Sequence, residues 1–192
     1  YYSDAPLADR LRPDDFRFFA GQKHLIGKGK PLRKLIEQDK LTSIIFWGPP
    51  GTGKTTLARI IANKSKAAFV EFSAVTAGIN DLRQVVKEAS ERRNLYNQRT
   101  VLFVDEIHRF NKSQQDGFLP FIEKGTIILI GATTENPGFE INNALQSRSL
   151  IFELEKLSDK EIAKIILFAI SDERGLKSEN LTIGEQAIKE IA

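Results

Sequence analysis

Short apolar runs alternate along this chain with segments in which hydrophobic residues return every three or four positions. The runs have the length of buried strands, and they cover residues 44–47, 67–70, 101–104, 127–130 and 150–152. Uninterrupted runs are typical of parallel sheets, because helices cover both faces of such a sheet. Helical spacing is clearest in residues 82–89, and residues 112–123 are predicted as a further helix. We therefore predict an α/β fold in which helices flank a five-stranded parallel sheet on both faces.

The pattern changes after the last of these runs. Residues 157–159 have the character of a helix start, and Ile162, Ile165 and Ile166 form one apolar stripe that is not followed by another strand. This part of the chain is predicted to begin a small helical domain.

A glycine-rich loop directly follows the first apolar run. It fits the pattern G-x-x-x-x-G-K-[ST] at every fixed position, with the residues Gly48, Pro49, Pro50, Gly51, Thr52, Gly53, Lys54 and Thr55. Glycines let successive backbone N–H groups converge on phosphate oxygens, and the lysine places a positive charge near the β- and γ-phosphates. The threonine hydroxyl is suited to Mg²⁺, and the helix that begins here adds its positive N-terminal end. Because strand, loop and helix occur in the required order, we predict a nucleoside triphosphate site.

Two acidic residues end the third apolar run. Asp105 and Glu106 are predicted at the carboxyl edge of the sheet, where α/β proteins bind ligands. Asp105 is a candidate to hold Mg²⁺ through its water shell, since Mg²⁺ loses water reluctantly. Glu106 is a candidate to orient and polarise an attacking water. Strand ends are often simply acidic, but one strand and helix separate this pair from the glycine loop, and that spacing favours a joint function.

Weaker signals follow in the second half of the chain. Thr133 and Thr134 come after the fourth apolar run, where a hydroxyl could reach the γ-phosphate or the attacking water, although threonines are also common in strands and turns. Arg148 lies at a predicted helix end, where an arginine commonly caps the last carbonyls. Neither feature identifies a site on its own.

Composition narrows the class of protein. The chain has no cysteine, so a disulfide framework or a cysteine metal site is impossible, which agrees with a reducing cytosol. No apolar run approaches the roughly 18 residues of a membrane span, so we expect a soluble intracellular protein with no membrane contact. The net charge is +3, with 28 basic and 25 acidic residues, and this near balance leaves nucleic acid binding open.

Together these motifs resemble those of AAA+ ATPases of the clamp-loader and RuvB-like branch. More narrowly, they are similar to the RarA (MgsA) replication-associated recombination family, which is related to the Werner-helicase-interacting ATPases. The similarity covers nearly the whole chain and is carried by residues 7–13, 21–25, 47–51, 105–112, 114–116 and 131–137.

The resemblance implies a P-loop NTPase (AAA+) fold with three parts. Residues 1–25 would form an N-terminal arm that borders the adenine, residues 26–154 the ATPase core, and residues 155–192 part of a helical lid domain. We expect the C-terminal part of the lid, with its sensor-2 arginine, and the oligomerisation region of the family to be absent from this chain.

The resemblance also implies ATP and Mg²⁺ as ligands and a role for each site residue. Thr55 and Asp105 would serve the metal, and Glu106 would be the catalytic base. Thr134 would be the sensor-1 residue, with the preceding threonine as the fallback. Arg148 would be an arginine finger that acts on the ATP of a neighbouring subunit. The remaining nucleotide contacts implied are Thr56, Arg12, Pro13 and Gln22.

The implied function is ATP hydrolysis coupled to DNA, in recombination and in the maintenance of stalled replication forks. The implied partners are fork or single-strand/double-strand junction DNA, a homo-oligomer in the full-length protein, and single-strand-binding protein and replisome components. The implied location is the cytoplasm, in association with the nucleoid. Two alternatives stay open: a clamp-loader subunit or Holliday-junction branch-migration motor, and a nucleotide-dependent interaction module with little hydrolysis. The absence of a cysteine cluster speaks against a clamp loader, and Glu106 speaks against a module that does not hydrolyse ATP.

His108 follows the acidic pair and has two interpretations. It could relay between the ATP site and DNA, with Arg109 and Lys112 on a DNA-facing side. Alternatively, it is an interface histidine with satisfied hydrogen bonds, and the neighbouring charges face solvent. The sequence supports both.

Overall fold

A five-stranded parallel sheet forms the centre of the structure, a computed structural model that describes residues 5–74 and 78–192. Its strands are β1 (Ser43–Trp47), β2 (Ala68–Ser73), β3 (Thr100–Asp105), β4 (Ile128–Thr133) and β5 (Ser149–Glu153). They lie in the order β2-β3-β4-β1-β5, and each neighbouring pair is parallel. Each predicted apolar run overlaps one strand, so the α/β class and the parallel sheet are confirmed.

Helices precede, connect and follow these strands. The α-helices are α1 (Leu7–Arg10), α2 (Lys23–Ile26), α3 (Pro31–Glu37), α4 (Lys54–Lys64), α5 (Ile79–Tyr96), α6 (Lys112–Asp116), α7 (Leu119–Glu123), α8 (Pro137–Glu140), α9 (Asn143–Gln146), α10 (Asp159–Ser171) and α11 (Glu185–Ile191). Two 3₁₀ helices are η1 (Ile107–Arg109) and η2 (Lys177–Glu179). Within the described ranges, no helix combines the length and the apolar character that a membrane crossing requires.

Alternation along the central strands fills a hydrophobic core on each face of the sheet. In β3, Val101 and Phe103 point into the core that includes α4, whereas Leu102 and Val104 point into the core that includes α5. All four side chains are fully buried. Successive residues of a strand face opposite sides, so an uninterrupted apolar run supplies both cores, and the prediction of helices on both faces is confirmed.

The prediction of one helix over residues 112–123 is wrong. The chain forms two short helices there, α6 and α7, and Gly117 is the C-cap of α6. Pro120 lies in the first turn of α7, where its missing N–H costs nothing, although it would break a continuous helix. Phe118, the N-cap of α7, is 1% exposed and lies in the core.

The start and end of the chain flank this core. Residues 1–4 of the predicted N-terminal arm lie outside the described residues, and the rest of the arm contains α1 and most of α2. Beyond β5, Ser158 and Glu161 form the capping box of α10, which confirms the predicted helix start. The predicted domain boundaries themselves stay predictions.

Candidate active site

The strand order brings three separate motifs to one edge of the sheet. β3, β4 and β1 are neighbours, and the segments that follow them begin with Glu106, Thr134 and Gly48 respectively. A cavity of about 370 Å³ opens at this edge, and its lining is formed by Ala8, Arg12, Pro50, Gly51, Thr52, Gly53, Lys54, Thr55, Thr56, Asp105, Glu106 and Thr134. Residues predicted from three distant parts of the sequence therefore share one cavity.

The glycine loop wraps the start of α4. Gly53 is the N-cap of this helix in a left-handed conformation, with φ +92°, and a Cβ there would lie 2.7 Å from the Phe19 ring. Gly48 has φ +140°, and a Cβ there would lie 2.2 Å from the Leu154 carbonyl oxygen. Both positions require glycine, because a side chain would meet strain and a neighbouring group at the same time. The loop consequently directs the N-terminal end of α4 toward the cavity.

Lys54 places its ammonium group inside this loop. Its Nζ donates to the Gly48 carbonyl at 2.7 Å and to the Pro49 carbonyl at 2.8 Å. The residue is only 9% exposed. Burial lowers the pKa of Lys54, and the nearby carboxylates Glu106 and Asp105 partly oppose this shift. A cation that is poorly hydrated and close to two acids is well placed to meet a phosphate group.

A sharp turn of the backbone presents the two carboxylates. Asp105 is the last residue of β3, and Glu106 then adopts the left-handed region with φ +50° and ψ +47°. The Glu106 N–H lies 3.2 Å from Asp105 Oδ1. A non-glycine residue in this conformation costs about 1–2 kcal/mol, and such strain is concentrated at functional sites. The turn lets consecutive residues both line the cavity.

The two threonines at the end of β4 face different surroundings. Thr134 lines the cavity, and its Oγ1 lies 3.5 Å from Glu106 Oε2. Thr133 is fully buried, and its Oγ1 accepts the Glu135 N–H at 3.0 Å. The geometry therefore favours Thr134 over Thr133 as the residue that faces a nucleotide.

His108 makes a contact that sequence reasoning missed. Its Nδ1 lies 3.2 Å from Glu106 Oε2 and 2.9 Å from Thr133 Oγ1. The sequence offered a weak signal, because His108 stands two residues after Glu106, but only the turn at Glu106 and the pairing of β3 with β4 join these groups. At Nδ1 the structure agrees with the interpretation of His108 as a histidine with satisfied hydrogen bonds. That it lies at a subunit interface stays a prediction.

The part of the chain that forms most of this cavity matches a known protein family. A profile described as "ATPase family associated with various cellular activities (AAA)" matches residues 44–158, which contain the glycine loop, the acidic pair and the threonines. The chain belongs to the AAA ATPase family. Membership of this family implies that the chain binds a nucleotide.

Relatives of this AAA domain agree with the resemblance seen in the sequence. The chain is 53% identical over 188 residues to replication-associated recombination protein A of Haemophilus influenzae, covering 97% of this chain and 42% of the relative. It is 49% identical to the protein of the same name in Escherichia coli K12, again covering 97% of this chain and 42% of the relative. ATPase WRNIP1 of Dictyostelium discoideum is 44% identical, covering 99% of this chain and 22% of the relative. The chain thus spans about two fifths of the length of the bacterial relatives.

Solved structures of RuvB share the AAA fold. The Holliday junction branch migration motor RuvB of Thermotoga maritima superimposes with a TM-score of 0.73 at 32% identity, covering 95% of this chain and 59% of RuvB. These comparisons confirm two predictions from the sequence: the resemblance to the RarA family of AAA+ ATPases and the RuvB-like fold.

The predicted N-terminal arm contacts both the glycine loop and α4. Arg12 lines the cavity and donates from Nη1 to Thr56 Oγ1 at 3.3 Å. Gln22 is buried, and its Nε2 donates to the carbonyls of Thr52 at 3.4 Å and Glu155 at 2.7 Å. Both N–H groups of the Gln22 amide are therefore used by backbone, which suits a link between the loop and the segment after β5 better than a direct contact to adenine.

Several predicted residues lie outside the lining of the cavity. Gly48 and Pro49 turn their carbonyls to Lys54, as described above. Arg148 is partly exposed, and its Nε pairs with Glu123 Oε1 at 2.7 Å while its Nη1 donates to the Ala144 carbonyl at 3.0 Å. Among the predicted site residues, all of which are described by the structure, five do not line the cavity: Gly48, Pro49, Pro13, Gln22 and Arg148. Arg148 therefore caps the end of α9 and lies outside this cavity.

Proposed function

We propose that this chain is the ATP-binding and ATP-hydrolysing AAA+ module of a DNA-dependent ATPase that acts in recombination and in the maintenance of stalled replication forks. The observation that carries the proposal is the single cavity in which Lys54, Thr55, Asp105 and Glu106 meet. The names of the relatives, at 49–53% identity, support the replication and recombination context.

The residues proposed to take part in hydrolysis have distinct tasks. The N–H groups at the start of α4 and the Lys54 ammonium bind the β- and γ-phosphates. Glu106 orients the attacking water and takes up its proton, and Thr134 helps to hold that water or the γ-phosphate in line. Arg148 of a neighbouring subunit stabilises the charge that develops on the transferred phosphoryl group.

The donor set also fits a magnesium ion. Mg²⁺ that arrives with a nucleotide needs one or two protein oxygens, because water and phosphate complete its octahedron. The Thr55 hydroxyl and the Asp105 carboxylate line the cavity that would hold the phosphates. When bound, Mg²⁺ would neutralise phosphate charge, with Thr55 and Asp105 as its protein contacts.

The surroundings of the module follow from the same proposal. Residues 26–154 would be the ATPase core, with residues 1–25 bordering the adenine and residues 155–192 forming part of the lid. The full-length protein would work as a homo-oligomer in the cytoplasm, associated with the nucleoid. Its partners would be fork or junction DNA, single-strand-binding protein and replisome components.

A second candidate is a RuvB-like branch-migration motor, which the fold similarity to RuvB favours. This candidate ranks second because the chain is 53% identical to the recombination protein of Haemophilus influenzae but 32% identical to RuvB. A nucleotide-dependent interaction module with little hydrolysis is the third candidate, and the location of Glu106 in the cavity speaks against it.

ATPase assays on the full-length protein test the proposal. We expect fork or single-strand/double-strand junction DNA to stimulate turnover, and Glu106→Gln to retain ATP binding while hydrolysis nearly stops. ATP turnover that DNA does not stimulate would contradict the fork-directed function. Equal loss of ATP binding and hydrolysis in Glu106→Gln would show that Glu106 has a structural role. Preference for four-way junctions over forks would favour the RuvB-like alternative.

A further inference from the structure

His108 lies between the cavity carboxylate and the neighbouring strand. Its Nδ1 contacts both Glu106 Oε2, at 3.2 Å, and Thr133 Oγ1, at 2.9 Å. The side chain of His108 is 14% exposed, whereas that of Glu106 is 32% exposed. Thr133 is fully buried in β4. The imidazole therefore joins a partly exposed acid to a fixed point of the sheet.

The hydrogen-bonding capacity of these groups assigns the proton. The Glu106 carboxylate only accepts, so an Nδ1 lone pair facing it would be repelled. Thr133 Oγ1 accepts from the Glu135 N–H at 3.0 Å, and its own hydrogen can be directed to the Glu135 carbonyl at 3.3 Å. We therefore assign the hydrogen to Nδ1, where one N–H faces both the carboxylate and the threonine oxygen.

The backbone fixes the imidazole in this place. Glu106 turns the chain in its left-handed conformation, and η1 follows at once. Ile107 is fully buried against β4, where a Cβ on Gly131 would lie 3.0 Å from Ile107 Cδ1. Glycine in the strand thus makes room for Ile107, and the anchored turn holds the next residue, His108, beside Thr133.

We propose that His108 is a positioning residue for Glu106, a role that rests on the proposed function of Glu106 in hydrolysis. The Nδ1–H holds Oε2 toward the end of β4, the side on which Thr134 Oγ1 also approaches it at 3.5 Å. A glutamate without this contact would distribute over several rotamers. Loss of orientation lowers the rate of the chemical step, while ATP binding, which uses the loop and Lys54, is unchanged.

Three substitutions in the full-length protein separate a positioning role from a structural one. His108→Asn keeps an N–H donor at the δ position, His108→Gln moves the donor to the ε position, and His108→Leu removes it. We expect kcat to fall about 10- to 100-fold in the Leu and Gln variants and to be largely retained in the Asn variant. The KM for ATP and the Kd of a fluorescent ATP analogue should stay close to the parent values in all three.

The Glu106→Gln background provides the control. We expect His108→Leu to cause no further loss of kcat in that background, because there is no carboxylate left to orient. Equal kcat in all three variants, or loss of ATP binding together with kcat, would overturn the positioning role of His108. Normal hydrolysis by Glu106→Gln alone would instead refute the proposed function of Glu106, so the two failures are distinguishable.

Discussion

Because Gly53 has no side chain, the Phe19 ring of the predicted N-terminal arm can pack against the glycine loop. With φ +92° Gly53 caps α4, and the Phe19 ring occupies the place where its Cβ would be. Gly51 also has a positive φ, +76°, but among the described residues no atom beyond its own chain neighbours lies within 4 Å of its Cβ position. Comparing the two glycines therefore distinguishes the cost of backbone strain, which a side chain would meet at both positions, from the cost of steric overlap, which it would meet only at Gly53.

Gly53→Ala should destabilise the protein more than Gly51→Ala. Both substitutions place a Cβ at positive φ, at a cost of about 1–2 kcal/mol, and Gly53→Ala adds overlap with Phe19 that costs roughly another 1–3 kcal/mol. Urea unfolding of the two variants and of the parent measures the difference. Phe19→Ala should recover part of the loss in Gly53→Ala and none in Gly51→Ala. Equal losses in the two glycine variants, with no recovery, would show that the Phe19 contact is unimportant.

At the scale of elements, a buried amide network ties the segment after β3 to α9. Gln115 is fully buried, and its Nε2 donates to the carbonyls of Phe110 at 3.0 Å and Glu140 at 2.9 Å. Its Oε1 accepts the Asn142 N–H at 2.8 Å. Asn142 in turn caps α9 through the Leu145 N–H at 2.7 Å. These bonds set the position of the short helix that precedes Arg148.

Gln115→Leu should be strongly destabilising. Leucine has a similar size but leaves three backbone groups without their side-chain partner, and each buried polar group left unpaired costs about 1–3 kcal/mol. Gln84→Leu, on the exposed face of α5, is the matched control and should change stability by less than about 0.5 kcal/mol. The free energy of unfolding in urea measures both. Similar values for the two variants would mean that the network contributes little.

The same elements show what the sequence could and could not predict. The central strands β1, β3 and β4 were predictable because both of their faces are buried, so apolar runs such as 101–104 are unbroken. The break at Gly117 was missed because residues 112–117 are polar apart from this glycine and carry no apolar spacing that would mark where one helix ends, although Pro120 was a usable signal. The contact between His108 and Glu106 was not predictable, since it depends on a left-handed residue and on the pairing of β3 with β4.

At the scale of the whole molecule, one edge of the sheet collects groups from distant parts of the chain and leaves Arg148 apart. The neighbours β3, β4 and β1 deliver Glu106, Thr134 and the glycine loop to one cavity. Arg148 follows α9 on the exposed surface, where it pairs with Glu123. An arginine that is accessible and held at a helix end is available to an adjacent subunit. We therefore propose that assembly with a second subunit completes the site.

Arg148→Ala in the full-length protein should leave ATP binding unchanged and lower hydrolysis by about 10³- to 10⁵-fold, as expected for loss of a finger that stabilises the transition state. Arg83→Ala, on the exposed face of α5, is the matched control and should retain activity. Mixing provides the decisive measurement. Subunits with Arg148→Ala keep Glu106, and subunits with Glu106→Gln keep Arg148, so a mixed oligomer contains interfaces with both groups. ATPase activity should reappear on mixing two inactive variants, whereas a mixture that stays inactive would place Arg148 outside catalysis between subunits.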